Sequence, residues 1–415
     1  MQGCKMAKLQ EHQHTLQSHP PSPHLPISPS PHLLVLLLLT ILLTACSGNR
    51  SSQLATANVV EALSGPSDDV FERAYEPIAF EFPLDHGAHP EYKTEWWYYT
   101  GNLEAEDGAQ YGYQFTIFRS ALTGEITERS SDWATNQIYM AHFAVTDVEN
   151  QEHYSFERYS RGAGGLAGAS GDPAYEVWLE DWRVEETEPG VTQMVASTIL
   201  DDESEESVSL ALELRETRPA VLHGDAGLSQ KGPEAGNASY YYSLVGLDST
   251  GTVTIGDSTA EVTGVSWMDH EFGTSALSED ALGWDWFSVQ LDNGMVFMFA
   301  QIRKASGGAV GDFEGTLVYP DGSQITIHAE DFTLTVNDEW TSPRTDITYP
   351  ASWSIVFAEF DIDLEVKTMI PDQEMKVSFV YYEGAIDING TVAGEAVEGR
   401  GYVELTGYGQ GEGGR

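Results

Sequence analysis

Apolar residues in this chain recur at every second position, not at every third or fourth. Tyr113-Gln-Phe-Thr-Ile-Phe118 alternates, and along Ile138 to Val145 the side chains of Ile138, Met140, His142 and Ala144 share one face. Val208 to Leu214 places Val208, Leu210, Leu212 and Leu214 together, and Met295 to Ile302 and Val377 to Tyr382 follow the same rule. Asp107-Gly108, Asn293-Gly294, Asp321-Gly322 and Asn389-Gly390 supply turn signals between such runs. With 40 glycines and no sustained 3.6-residue period, the pattern predicts an all-β protein.

The pattern also repeats. Trp96-Trp-Tyr-Tyr-Thr-Gly-Asn-Leu103 matches Trp284-Asp-Trp-Phe-Ser-Val-Gln-Leu291, and each copy leads to an apolar strand ending in arginine, at Arg119 and Arg303. The simplest reading is two related β-domains in tandem. Small barrels of that size are either filled by side chains or enclose one apolar ligand.

The N-terminus has a different pattern. Leu33 to Ala45 is an apolar run of thirteen residues, too short to span a bilayer comfortably and right for the core of a signal peptide. It ends in Leu43-Thr-Ala-Cys46, which resembles a bacterial lipobox and so implies cleavage before Cys46 and acylation of its sulfur; an ordinary secretory signal with a chance cysteine is the alternative. Residues 1–45 are read as signal peptide and 46–76 as the acylated cysteine and a flexible tether. Ser47 after that cysteine favours the periplasmic face of the outer membrane. Only one other cysteine exists, Cys4, and processing would remove it, so no internal disulfide is expected.

Composition narrows the partners. The chain has 415 residues, 65 acidic and 20 basic, for a formal charge of −45. Such a surface repels phosphate backbones, which excludes nucleic acid as a partner, and suits a saline setting. Hydrophobic residues make up 41%, enough for packed cores.

Candidate chemistry clusters in three places. Alternation puts Glu95 and Trp97 on one face and Trp96 on the other, and a carboxylate against indoles loses solvation, as a general acid requires; an ion pair with Arg119 is the competing reading. His142 lies on a mostly apolar face, either as a bonded core histidine or as a ligand contact. Asp269-His270-Glu271 is the densest titratable cluster, with Trp267, Trp284, Asp285 and Trp286 near it in sequence. On a strand its two acids share a face opposite His270, which is a poor metal set, and no metal or cofactor is expected. The glycine-rich His223 to Gly232 loop lacks the strand–loop–helix setting of a phosphate cradle and is expected at a barrel mouth or between barrels. Ser229 sits in no nucleophile elbow.

Lys93-Thr-Glu-Trp-Trp-Tyr-Tyr99, Ala141-His-Phe-Ala144, Ala238-Ser-Tyr-Tyr-Tyr-Ser243, Trp267-Met-Asp-His-Glu-Phe-Gly273 and Gly401 to Gly407 together resemble the CrtC/AttH family, which includes carotenoid 1,2-hydratases. The resemblance runs from about residue 80 to 408. It implies two lipocalin-like antiparallel barrels, drawn here as 77–272 and 273–415, an exported protein, and an ABC-transporter permease as a partner. It also implies water addition to a terminal isoprenoid double bond without a cofactor. His270, Asp269, Glu95 and Asp285 are then the catalytic candidates, and Trp96, Trp97, Tyr99, His142, Trp267, Phe272, Trp284 and Trp286 the ligand contacts. Phe272, Phe299 and Gln301 stand where the hydratase branch carries Trp, Tyr and Asp. This departure makes a lipoprotein that binds an isoprenoid or acyl lipid the first expectation, with a hydratase or an accessory protein of a lipid exporter as alternatives.

Overall fold

The computed structural model describes residues 70–410 apart from 125–130, 132, 201–206, 233, 275–280 and 305–313. The signal peptide, most of the tether, Cys4 and Cys46 lie outside the described residues. Among those described there are no α-helices, only four single-turn 3-10 segments, and every strand pairing is antiparallel. The protein is all-β, as its period of two requires.

Strands between residues 94 and 273 form one sheet and strands between 281 and 405 a second. The first is nearly closed into a lipocalin-like barrel and the second is a half-barrel. Each sheet starts with one copy of the aromatic repeat. Thr94–Ala105 lies between the strand that follows it, Gln110–Ala121, and the last long strand of its sheet, Ser258–Gly273. Ala281–Leu291 lies in the same way between Val296–Lys304 and the last strand, Glu395–Leu405. The sequence repeat is therefore a repeat of topological position.

Peripheral strands show the predicted alternation. In Ser207–Glu216 the inward Val208, Leu210, Leu212 and Leu214 are buried while Ala211 and Arg215 face water. The central strands are different, because both of their faces are covered. Trp97, Tyr99, Phe115 and Phe143 fill the first barrel, and Phe287, Phe297, Phe299 and Trp353 fill the second sheet. The opposite faces of these same strands meet as a third layer of Tyr98, Tyr241, Trp267, Trp286, Met298 and Tyr402. The sheets thus pack outer face against outer face, and a Cβ added to Gly112 would come 2.6 Å from the Ala385 methyl.

Two local expectations are corrected. Val377–Tyr382 is not a strand: the strand begins at Tyr382, and residues 375–381 form a strap across the outer face of Gln137–Asp147, burying Met375, Val377, Phe379 and Tyr381 against Ala144. Side chains from the first sheet satisfy its backbone, since Lys376 N–H donates to Ser155 Oγ (2.7 Å) and Ser378 N–H to Glu157 Oε1 (3.0 Å). Asn389-Gly390 is not a turn. It lies inside Tyr382–Val392, where Gly390 is needed because a Cβ would sit 2.1 Å from Asp363 O. That hairpin instead turns at Ala393-Gly394, both with positive φ (52° and 78°).

Candidate functional site between the two sheets

Register decides which polar side chains reach the space between the sheets. One rung of the first sheet carries Ser243, Asp269, Tyr98, Thr116 and His142 side by side across five strands, all on the outer face. The second sheet answers with Glu383 and Glu404, which are direct cross-strand partners on its closing hairpin. Tyr98 O–H donates to Glu383 Oε2 (2.8 Å), Trp286 Nε1–H to the Tyr241 hydroxyl oxygen (3.1 Å), and Asn102 Nδ2–H to Gly401 O (3.0 Å), so polar contacts knit the aromatic layer together. Tyr98 meets Trp286 edge-on at 5.2 Å, and Trp267 meets it at 6.3 Å.

Three carboxyls in this layer hold protons at pH values where carboxyls are usually ionised. Burial, and then the neighbouring Glu404, push Glu383 well above the carboxylate range against the Tyr98 hydrogen bond. Glu404 keeps a partly exposed edge, yet desolvation still raises it to about 7 against a 2.8 Å hydrogen bond from Trp284 Nε1–H. Asp269 is raised to about 7 by burial, although Ser243, Tyr241 and Trp267 all donate to it. Like charges placed directly across a sheet repel, so Glu383 and Glu404 share at least one proton. Glu383 Oε1 is buried and has no hydrogen-bond partner among the described residues, and Gln114 Oε1 and His142 Nε2 on the facing sheet are in the same condition. Buried polar atoms are rarely left this way. Asn102 Oδ1, whose Nδ2–H bonds Gly401 O across the same interface, is a fourth, which makes this layer the candidate site.

The first barrel holds a separate network, now fully satisfied. Arg119 Nε–H donates to Glu95 Oε2 (2.7 Å), while His89 Nδ1 and His270 Nε2 lie 2.7 and 2.9 Å from Glu95 Oε1. His270 Nδ1 meets the Tyr242 hydroxyl (2.8 Å), which in turn meets His86 Nδ1 (2.6 Å). Burial alone would raise the Glu95 pKa, but Arg119 and the two imidazoles hold it far below the usual range. The expectation of a raised, acid-donating Glu95 is thus corrected: the guanidinium outweighs desolvation, and the ion pair is the right reading. His89, Glu95 and His270 bring three ligand atoms within 4.8 Å of one another. Both imidazoles donating to one ionised carboxylate beside a guanidinium already closes that set, and a divalent cation would sit against the Arg119 charge.

The remaining sequence candidates divide by face. His270, Trp97 and Tyr99 point into the first barrel and Phe272 seals its end, stacked on His89 at 3.6 Å. Asp285 lies inside the second sheet, ion-paired to Arg303 (3.0 Å) and bonded by Tyr408 O–H (2.9 Å). Only Asp269, Trp96, His142, Trp267, Trp284 and Trp286 face the interface. His223 reaches it too: Thr316 Oγ1 is 2.9 Å from its Nδ1 and Ser243 Oγ 2.6 Å from its Nε2. Ser243 gives its own proton to Asp269, so it stands between an imidazole and an acid and is not activated by either. Glu383, Glu404, Tyr98, Tyr241 and Tyr402 were missed from the sequence. The available signal was two acids each two positions from an aromatic residue, at Tyr381-x-Glu383 and Tyr402-x-Glu404, on strands that pair.

A family model described as AttH-like matches residues 73–408. The chain belongs to the AttH-like family. An AttH protein of known crystal structure from Nitrosomonas europaea is 31% identical, with a TM-score of 0.70 over 81% of this chain and 100% of that one. The curated kievitone hydratase of Fusarium solani subsp. phaseoli is 22% identical over 238 residues, 52% of this chain. The match spans 63% of that relative, less than two thirds of its length. The crystal structure of kievitone hydratase from Nectria haematococca shares the fold, at 14% identity and a TM-score of 0.59 over 81% of this chain and 96% of that one. The AttH-like chain thus has a hydratase-like fold.

Proposed function

We propose that this AttH-like protein is a cofactor-independent hydratase that adds water across an isoprenoid-type carbon–carbon double bond held between its two sheets. The observation that carries the reading is Glu383, a buried carboxyl kept protonated opposite Glu404, with Oε1 unpartnered in an aromatic layer. With Tyr98 donating to Oε2, the acidic proton belongs on Oε1. Transfer of that proton to the CH carbon of the terminal (CH3)2C=CH– unit forms a C–H bond and leaves a tertiary cation on the dimethyl-bearing carbon. The faces of Trp286, Trp267 and Tyr98 stabilise such a cation by about 0.5–2 kcal/mol each. Attack by water then forms the C–O bond, and the surplus proton restores the carboxyl, so one water is added with no change of redox state. The relationship to a curated hydratase supports the same reading.

The test uses protein lacking residues 1–46, incubated with acyclic carotenoids and simpler terpenoids and extracted for mass spectrometry. A product heavier by one water, lost in Glu383→Gln, is the expected result. Saturable polyene binding with no hydrated product overturns it in favour of the second reading, a binding protein for an isoprenoid or acyl lipid, which the aromatic layer favours by itself.

The lipobox-like Cys46 supports export and a lipid anchor, on the periplasmic face of the outer membrane. An acyl label lost on Cys46→Ala tests this. A role as accessory to an ABC-type lipid exporter is the third reading, and co-purification with a permease in the absence of turnover would favour it.

A further inference from the structure

We propose that His142 is the general base that activates the attacking water, so that the proton donor and the water-activating group stand on opposite sides of the interface. This deepens the hydratase reading and rests on it. His142 is buried, and its ring is held by contacts with Phe118 (5.6 Å), Phe379 (6.2 Å) and Tyr381 (5.6 Å). Its Nδ1 lies 2.6 Å from the Tyr381 hydroxyl oxygen, while its Nε2 has no hydrogen-bond partner among the described residues. In the tautomer in which Nδ1 donates to the Tyr381 hydroxyl, the one this role requires, Nε2 presents a lone pair. Burial lowers its pKa to about 4, only partly opposed by Glu157, so that lone pair is free at neutral pH.

Position singles His142 out among the buried histidines. His223 and His270 have both ring nitrogens bonded, and His86 belongs to the first-barrel network through the Tyr242 hydroxyl. His153 also has an unpartnered Nε2, but its Nδ1 meets Thr146 Oγ1 (2.9 Å), and Thr146 lies on the rung of Gly112, away from Tyr98. His142 instead shares the rung of Thr116 and Tyr98, whose hydroxyl holds Glu383. Two inter-strand steps of about 4.8 Å separate the Cα atoms of His142 and Tyr98, the residue whose hydroxyl holds Glu383. In the step itself, water oxygen bonds to the cationic carbon as one water proton passes to Nε2. The imidazolium proton then returns to the Glu383 carboxylate, and both groups are reset.

The test is turnover of an acyclic isoprenoid alkene in D2O, reading both alcohol formation and deuterium in the recovered alkene. Protonation by Glu383 is reversible without water capture. His142→Gln should therefore form alcohol about 100-fold or more slowly while still exchanging deuterium into the alkene. Tyr381→Phe, which keeps the ring packing but releases the tautomer, should lower the ratio of alcohol to exchange in the same direction, and it decides the matter if His142→Gln does not fold. Alcohol formation at the wild-type rate in folded His142→Gln overturns the proposal. So does a loss of exchange in parallel with alcohol, which would make His142 structural. Wild-type protein giving neither deuterium uptake nor alcohol removes the hydratase reading itself.

Discussion

Glu383 and Glu404 face each other directly across the hairpin that closes the second sheet, and neither makes an ion pair among the described residues. Tyr98 and Trp284 each give one of them a hydrogen bond, from opposite sides of the layer. Two carboxyls so placed cannot both be ionised cheaply, and the molecule keeps at least one proton between them.

That proton makes stability depend on pH in a definite direction. The Glu404 pKa is 4.5 in a free chain and about 7 in the fold, so between those values the native state holds a proton that the unfolded state has lost. Its contribution is complete below pH 4.5 and is lost as pH rises through about 7. At about 1.4 kcal/mol per unit the difference is at most about 3 kcal/mol. Glu404→Gln, which stays neutral, should therefore gain stability over wild type as pH rises from 5 to 8, read as the difference in urea midpoint; a difference independent of pH would contradict the assignment.

Buried histidines act in the opposite sense. His86 and His223 are held neutral by burial, at about 3 against 6.5 in a free chain, and His142 at about 4. Their stability is present above pH 6.5 and lost as pH falls toward those values. Replacing His223 with Gln should flatten the acid side of the stability profile, measured by thermal melts from pH 4 to 7.

Arg119 and Glu95 form a buried pair whose members cannot be separated safely. Removing the guanidinium leaves Glu95 charged with only imidazoles for partners, so Arg119→Met should cost about 3–5 kcal/mol. Adding Glu95→Gln to it should recover part of that loss in the same unfolding assay.

His270 is sealed inside the first barrel, on the opposite face of its strand from Asp269. His270→Asn should lower stability by about 1–3 kcal/mol by removing one hydrogen bond each from Tyr242 and Glu95, while the hydration proposed for the interface is retained in folded protein. A catalytic loss at unchanged stability would move the reaction centre into the barrel.

Close contact between the sheets gives a steric test. Gly112→Ala places a methyl 2.6 Å from that of Ala385 and should destabilise by about 1–3 kcal/mol. Ala385→Gly in the same chain should relieve it, as seen by a recovered melting temperature.

Much of the architecture was legible along the chain. A period of two, the Asp-Gly and Asn-Gly turns and the paired Trp-aromatic blocks depend on neighbours within a few residues, and they were enough for an all-β chain with two related halves. They were also enough to set His270 on the opposite side from Asp269 and Glu271, because strand alternation is a local rule. Where a long-range neighbour intervened, the local signal failed. Gly390 looks like a turn residue and is in fact a clearance for the Asp363 carbonyl, and Val377 to Tyr381 alternates like a strand yet lies as a strap.

The site depended most on tertiary structure. Glu95 looked desolvated because Trp96 and Trp97 adjoin it in sequence, whereas its charge is fixed by Arg119, 24 residues away. Glu383 keeps its proton through burial and through Glu404 across a hairpin, against a hydrogen bond from Tyr98 285 residues away. Local spacing determines which side of a strand a residue faces. Whether that side meets water, a like charge or a donor from another sheet is set by packing, and solvation and charge at that distance fix the protonation on which the chemistry depends.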